Sequence, residues 1–362
     1  MKYSKKELAL LWLDGFDGIE YKHKKAIVDC FEDNCDLNSV LKECKEYICA
    51  NVGEKVYLSM KASLTKDYFD RFLSELDKRE ITGITIFSEY YPKELLDLDN
   101  YPLCLYAKGN LELLKNDKFA IIGSRRGGEF PNSIAKQFAS ELSVGFTIVT
   151  GISEGVDKAV LEQGIKDKNV ICVYPCGFDH VYPATHKELL EKVAKEGLLI
   201  SEFLPTVSLR NYMIPVRNRI FAGLSKGVLI VSGGENSGTL WTAEFAEELS
   251  RQVFAIPYSI NVNYGTTCNE LIKKGAYLTT EPKDILDFYG KECETQKIEL
   301  SETEKKIVSL LQDGELHIEK MCEKLNEQVF SLSPILSMLE IKGVVVKSGF
   351  NVYGLTGKKT EA

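Results

Sequence analysis

Between residues 119 and 288, short apolar runs alternate with amphipathic stretches of helical length, a pattern that few folds accept. The runs are Phe119–Ile122, Thr147–Thr150, Val170–Tyr174, Leu198–Ile200, Val228–Val231 and Val253–Ile256; the helical stretches include 132–143, 157–167, 186–195 and 239–250. A strand that is apolar at consecutive positions must be covered on both faces, and helices lying between such strands supply the cover. The pattern predicts an α/β fold: an extended Rossmann-like, doubly wound, mainly parallel sheet. Such sheets bind ligands outside the carboxyl ends of their strands, so the residues that follow each run carry the functional information.

The 362 residues exceed one average domain, and the flanks have a different texture. Residues 1–75 read as a small helical domain of the SAM or helix-hairpin-helix (HhH) kind. Leu8, Leu10, Leu11 and Trp12 open an apolar face, Leu37, Val40 and Leu41 repeat the spacing, and Gly15-Phe-Asp-Gly18 makes a turn. The β-rich Ile81–Phe87 and the breaks at Tyr91-Pro92 and Tyr101-Pro102 lead into the Rossmann-like domain, taken as 76–290. After a polar linker at Glu292–Gln296, residues 299–358 predict a winged helix. Its helices are Glu302–Leu311, Ile318–Leu325 and Ser333–Ile341, and its strands are Val344–Lys347 and Val352–Leu355. From Ser301 onward eight lysines face nine acidic residues, which favours protein contact over phosphate attraction for this unit.

No run approaches the about 18 apolar residues of a membrane span, and Leu8–Leu13 is too short for a signal peptide. The expectation is a cytoplasmic protein with no membrane association. Ten cysteines without an export signal argue for thiols rather than a disulfide framework. Cys30, Cys35, Cys44 and Cys49 have four, eight and four residues between them, which matches no common zinc knuckle and puts no neighbouring pair on one helix face. No metal and no cofactor is expected.

The net charge of −8 excludes a chain coated in basic surface but says nothing of local clusters. Only eight of the 45 basic residues are arginine, and five of these fall at 125–126 and 210–219. The rigid guanidinium fork suits bidentate phosphate contact, where lysine acts as a point charge. The first cluster lies in Gly123-Ser124-Arg125-Arg126-Gly127-Gly128, directly after a strand. There, free backbone N–H groups and a helix N-terminus would receive an anion. Thr150-Gly-Ile-Ser-Glu-Gly155-Val-Asp157 repeats the arrangement; Asp157 either caps the following helix or orients an arginine. Pro215-Val-Arg217-Asn218-Arg219 carries two arginines and an asparagine with no acid nearby in sequence, a combination costly in a core and useful on a phosphate surface. Ser232-Gly-Gly-Glu-Asn-Ser237-Gly238-Thr239 forms another anion-receptive turn. Gly265-Thr-Thr-Cys-Asn269 reads equally as a turn in the same crevice or as a helix cap.

Taken in order, these segments resemble the DprA/Smf family of bacterial DNA-processing proteins. The resemblance rests on Gly123-Ser124-Arg125, Gly151 with Gly155-Val156-Asp157, and Cys176-Gly177-Phe178-Asp179 followed by Val181-Tyr182-Pro183. It continues through Ser201-Glu202, Pro215 to Ser225, Ser237-Gly238-Thr239-Leu240 with Thr242-Ala243, and Gly265 with Asn269 to Ala276. It covers residues 80–288 most fully, and the flanking units fit as well. What it implies is single-stranded DNA bound in a basic pocket, homodimers, and partnership with the recombinase RecA, which the family helps load onto incoming DNA during natural transformation (competence). Carried over by motif, the pocket uses Gly123, Ser124, Arg125, Arg217, Asn218, Arg219, Ser237 and Gly238. Arg126, Arg210 and Thr239 are added from their neighbourhood. Three positions depart from the family pattern: Leu161 where a histidine is frequent, Ser232 where a glutamate is, and Tyr258 where a glycine is.

The expected role is binding without catalysis. One rival is an enzyme: Gly233-Gly234 and Gly238-Thr239, with Glu244 or Glu247 beyond, faintly resemble the LOG-like nucleotide phosphoribohydrolases. The compact Gly-Gly-x-Gly-Thr-x-x-Glu spacing of that group is missing, and none of His23, His180, His186 and His317 lies in an arginine-bearing turn. His180 and His186 flank Tyr182-Pro183 and could line the crevice. The other rival is a sensor that holds a free nucleotide without turning it over, which fold alone does not separate.

Overall fold

The computed structural model describes residues 3–16, 18–32, 35–235, 237–291 and 300–355. The linker expected at Glu292–Gln296 lies outside them, as do Asp17 and Asn236 of two expected turns and the ends of the expected C-terminal domain, 299 and 356–358. The chain forms two compact units, Met1–Cys293 and Glu294–Ala362. No helix among the described residues is long and apolar enough to cross a membrane.

Six helices open the first unit: α1 (Lys5–Asp14), α2 (Tyr21–Val28), α3 (Leu37–Glu43), α4 (Lys45–Asn51), α5 (Glu54–Ala62) and α6 (Lys66–Lys78). A capping box starts α1: Ser4 Oγ accepts the Glu7 N–H and the Glu7 carboxylate accepts the Ser4 N–H. Ala9, Leu10, Leu11, Trp12 and Leu13 are all buried, so the second half of α1 is enclosed on every side rather than along one stripe, while Lys5 in its first turn is exposed. Trp12 donates its indole N–H to Ser63 Oγ at 2.8 Å. The core around it is completed by Leu103, Cys104 and Tyr106 from the edge of the sheet. The helical segment and the sheet therefore share apolar contacts and belong to one compact unit.

The sheet comprises β1 (Thr82–Thr85), β2 (Cys104–Gly109), β3 (Lys118–Ile122), β4 (Thr147–Thr150), β5 (Val170–Val173), β6 (Leu198–Ser201), β7 (Gly227–Ile230), β8 (Gln252–Ala255) and β9 (Tyr277–Leu278). Its order is β1-β2-β6-β5-β4-β3-β7-β8-β9. Only β2 runs against the rest, pairing antiparallel with both β1 and β6. The mainly parallel sheet expected from the alternation is present, extended at one edge by β1 and β2 and at the other by β9.

The connecting helices are α7 (Glu129–Leu142), α8 (Val156–Asp167), α9 (Lys187–Glu196), α10 (Met213–Leu224), α11 (Thr239–Glu248), α12 (Thr266–Lys273) and α13 (Pro282–Phe288). Phe138 of α7, Val160 of α8, Val193 of α9 and Leu286 of α13 pack on one face of the sheet. Phe221 of α10, Ala243 of α11 and Leu271 of α12 pack on the other. The chain thus leaves β3 for one face and β7 for the opposite face, although these strands are neighbours. Their carboxyl ends diverge, and a crevice opens there.

The second unit contains α14 (Glu302–Leu311), β10 (Leu316–His317), α15 (Ile318–Leu325), α16 (Val329–Ile341), β11 (Val345–Gly349) and β12 (Val352–Leu355), with strand order β10-β12-β11. It has one strand more than the sequence predicts. α16 begins at Val329 rather than Ser333, so Pro334 lies inside the helix, where its missing N–H leaves the Phe330 carbonyl without its helical donor.

Trp12→Ala should destabilise the first unit by about 3–5 kcal/mol. In that variant Trp241, on α11, is the remaining tryptophan. Because the apolar core is shared, its fluorescence should report a lowered urea midpoint; an unchanged Trp241 midpoint would show the helical segment and the sheet melting separately.

Candidate nucleic-acid interface

A cleft of about 410 Å³ occupies the crevice between the ends of β3 and β7. Nine of the expected site residues line it: Gly123, Ser124, Arg125 and Arg126 after β3, Arg217 and Asn218 on α10, and Ser237, Gly238 and Thr239 at the start of α11. Arg210 and Arg219 do not. Ile122, Ser153, Asp157, Ile214, Phe221 and Thr242 complete the wall.

Close stacking of two loops builds the rim. Gly155 holds φ +79°, a region that favours glycine, and a Cβ there would lie 2.5 Å from the Ser124 carbonyl. Val156 donates its N–H to that same carbonyl at 3.4 Å. Across the crevice, Ser124 donates its N–H to Ser232 Oγ at 3.1 Å, and the two hydroxyls are 3.0 Å apart. Ser232 therefore ties the β3 loop to the β7 loop. Tyr258, the second departure, donates its hydroxyl proton to the Val231 carbonyl at 2.7 Å and supports the same loop from below. Thr267 donates to the Gly234 carbonyl, so the Gly265 turn braces the crevice without lining it.

α11 presents its N-terminal end to the cleft, where the positive end of the helix dipole favours an anion, although the Thr239 and Leu240 N–H groups are already bonded to Ser237. Thr239 Oγ1 donates to Ser237 Oγ at 2.9 Å, and Asn218 Nδ2 donates to the Gly238 carbonyl at 3.2 Å, which fastens α10 to this turn.

The arginines separate into three groups. Arg125, Arg126 and Arg210 are exposed and have no carboxylate within 4.0 Å among the described residues. Arg71, Arg79, Arg219 and Arg251 each form an ion pair. Arg217 is 4% exposed, and its guanidinium packs over the Phe221 ring and donates from Nη1 to the Val173 carbonyl at 3.1 Å. Asp157 is buried beside it: a Cβ on Gly151 would strike the Asp157 carboxylate and come within 2.8 Å of Arg217 Nη1. Burial pushes the Asp157 carboxyl above its ordinary range while Arg217 pulls it back. Burial lowers Arg217, and Asp157 offsets it.

Three expectations need correction, and one possibility raised for the histidines is not met. Arg219 is no free phosphate ligand; it makes a two-pronged pair with Glu202 at 2.6 and 3.2 Å, both side chains nearly enclosed. The sequence hid this because Glu202 reaches α10 only through the fold, from the end of β6. Arg217 likewise has an acid beside it, so the absence of acids near the arginine motif holds in sequence alone. Asp157 does not cap α8, whose N-cap is Gly155; it accepts the Ser153 N–H at 3.2 Å and faces Arg217. The histidines stay outside the cleft: His186 is buried between the Ile152 carbonyl and Glu154, and His180 meets the Thr206 carbonyl. Thr242, in turn, went unassigned, although its place one helical turn after Thr239 puts both on one face of α11.

Comparison with known proteins follows the same boundaries. The family model described as DNA recombination-mediator protein A matches residues 82–290. The DNA processing protein DprA of Bacillus subtilis is 35% identical over 238 residues, 63% of this chain and 80% of that protein. The X-ray structure of DprA from Streptococcus pneumoniae superposes with a TM-score of 0.64 at 29% identity, over 79% of this chain and 98% of that one. DprA from Helicobacter pylori, described for its single-stranded DNA binding mode, gives 0.53 at 29% identity, over 58% and 95%.

Arg219→Met should lower the unfolding free energy by about 3–5 kcal/mol by stranding the Glu202 carboxylate. Arg125→Ala, on the open rim, should change it by less than about 0.5 kcal/mol. Urea titration of both variants checks the contrast.

Proposed function

Because the chain belongs to the DNA recombination-mediator protein A (DprA/Smf) family, we propose that it binds single-stranded DNA in the β3/β7 cleft without catalysis, protects incoming strands and helps load RecA onto them in the cytoplasm during DNA uptake. The observation that carries this reading is the cleft itself: exposed guanidinium groups without acidic partners stand at its mouth, beside the N-terminus of α11. A polyanion gains from both, and each phosphate neutralised releases counterions. Within this reading Arg125 and Arg126 take phosphates, with Arg210 as an outlying charge, and the turns at Gly123-Ser124 and Ser237-Gly238-Thr239 shape the walls, the Ser124, Ser237 and Thr239 N–H groups being bonded to Ser232 Oγ, the Gly234 carbonyl and Ser237 Oγ. Tyr212 at the start of α10 and Trp241 on α11 are exposed rings on elements bordering the cleft, suited to stacking on unpaired bases. Arg217 contributes from beneath, as a buried charge that also holds the wall together.

Self-association fits the far edge of the sheet. β9 is an edge strand whose Tyr277 and Leu278 are exposed, and Phe288 of α13 is exposed as well. An unpaired, apolar edge is a liability unless another chain covers it, and a two-fold dimer is the commonest cover.

Titration of labelled oligo-dT at two or more salt concentrations tests the reading. Binding should weaken steeply as salt rises, and Arg125→Ala should lower affinity by about 1–3 kcal/mol and flatten the log–log salt slope by roughly 0.7. Salt-independent binding, or tight mononucleotide binding with release of a cleaved product, would replace this reading with the nucleotide enzyme. For the dimer, Leu278→Lys should shift the sedimentation coefficient towards the monomer.

A further inference from the structure

His186, just before α9, is 2% exposed and lies outside the cleft, and both of its ring nitrogens meet acceptors. Nδ1 is 2.9 Å from the Ile152 carbonyl, and Nε2 is 2.7 Å from Glu154 Oε1. A carbonyl oxygen has no proton to give, and an ionised carboxylate has none either. Burial raises the Glu154 carboxyl, but His186, Lys158 and Thr185 together hold it below its ordinary range, so it is ionised at neutral pH. A neutral imidazole carries one N–H and would set a lone pair against one of these two acceptors; only the imidazolium donates to both. The 2.7 Å separation is that of a charge-assisted bond. The charged groups around the pair are Lys158 of α8, 3.9 Å from the Glu154 carboxylate, and Lys187 and Glu188, the exposed neighbours of His186 on α9. Lys158 and the positive end of α9, whose N-cap is His186, oppose the cation, so Glu154 is what retains it.

Both acceptors belong to the loop that joins β4 to α8, and the other side of that loop is cleft wall. Ser153, between them, lines the cleft and gives its N–H to Asp157, which faces Arg217. Gly155, directly after Glu154, stacks on the Ser124 carbonyl, and Val156 bonds to it. His186 thus grips the back of a segment whose front places Ser124 and Asp157. Resting on the reading that the cleft binds single-stranded DNA, we infer that His186 is a positioning residue for it: as an imidazolium bonded to Ile152 and Glu154, it holds the β4–α8 loop against the Ser124 turn. Loss of one ring proton turns a hydrogen bond into a repulsion between lone pairs, the loop loosens, and DNA binding weakens. The hold is complete where the ring is charged and is lost as pH rises through its titration, so affinity falls with rising pH. Glu154 separates this account from simple electrostatics. By charge alone an acid near the cleft opposes a polyanion, and neutralising it should strengthen binding. As the group that keeps His186 charged, its neutralisation should weaken binding.

Nitrogen-15 NMR of the full chain labelled at histidine reads the ring directly, because the two nitrogens of an imidazolium resonate close together and those of a neutral ring far apart. His186→Gln assigns the signal among the four histidines. In the parent the His186 nitrogens should stay together at neutral pH and separate as pH rises. Oligo-dT affinity, measured at fixed salt over about pH 5–9, where arginine keeps its charge, should fall with the same midpoint. Glu154→Gln, at a half-exposed position, offers an amide that both donates and accepts. It should separate the His186 nitrogens at neutral pH, weaken oligo-dT binding about three- to tenfold, as for one lost hydrogen bond, and flatten the pH profile. Separated nitrogens in the parent at neutral pH would overturn the inference, as would unchanged or tighter binding by Glu154→Gln. A parent affinity that does not follow the ring's titration defeats the inference while the DNA-binding reading stands. No oligo-dT binding by the parent at any pH defeats both.

Discussion

The site depends on one burial: the Arg217 guanidinium held below the carboxyl ends of the central strands. A buried charge is costly unless its field is opposed and hydrogen bonds hold it in place. Here Val173, at the end of β5, accepts one hydrogen bond, Phe221 stacks on the plane, and Asp157 supplies the opposing charge from α8. Each of these groups comes from a different strand–helix unit. Fixing Arg217 therefore fixes how α8, α10 and β5 meet, and Gly151 is needed because any side chain there would occupy the same space. The crevice between β3 and β7 follows from topology, but its shape follows from this contact.

Helix α10 has a second arginine two residues on, and the pair shows how one short motif serves two purposes. Successive odd positions on a helix point about 200° apart. Arg217 consequently faces the cleft while Arg219 turns away to Glu202 at the end of β6. Burial raises the Glu202 carboxyl and Arg219 pulls it back, the balance expected when an enclosed acid is retained by its partner. α10 is thus anchored on one side and carries the cleft wall on the other.

Much of this was legible in the residues. The alternation from Phe119 to Ile256 gave the sheet, because apolar runs covered on both faces have few alternatives, and the glycine turns marked the strand ends that form the cleft. Arg125, Arg126, Ser237 and Gly238 were recognisable as cleft residues since each lies in the turn between an apolar run and the next helix. What was not legible depends on contacts between residues distant in sequence. Glu202 and Arg219 are 17 positions apart, and Asp157 and Arg217 are separated in the chain by two strands, β5 and β6; spacing cannot reveal that either pair meets. The role of Ser232 was hidden for the same reason, because its bond to Ser124 spans 108 positions. Thr242 was hidden differently: its Oγ1 is buried in the cleft wall without a hydrogen-bond partner among the described residues, and a sequence shows which groups are present but not which go unpaired.

An acidic chain can still carry a cationic cleft, because net charge is an average and potential is local. Among the described residues, Lys24, Lys118, Lys136, Lys168 and Lys226 lie within 4.0 Å of carboxylates, as do Arg71, Arg79, Arg219 and Arg251. Such pairs contribute little field at a distance, since opposite charges cancel and salt screens what remains beyond about 10 Å. Arg125 and Arg126 make no such close pair among the described residues, although the buried Asp157 lies within the field of Arg125, and both arginines line the cleft. The same surrounding excess of acid that leaves the chain at −8 repels a polyanion elsewhere. In the proposed reading, selective placement of guanidinium groups would direct an extended strand to one crevice, where a uniformly basic surface would bind it everywhere and position it nowhere.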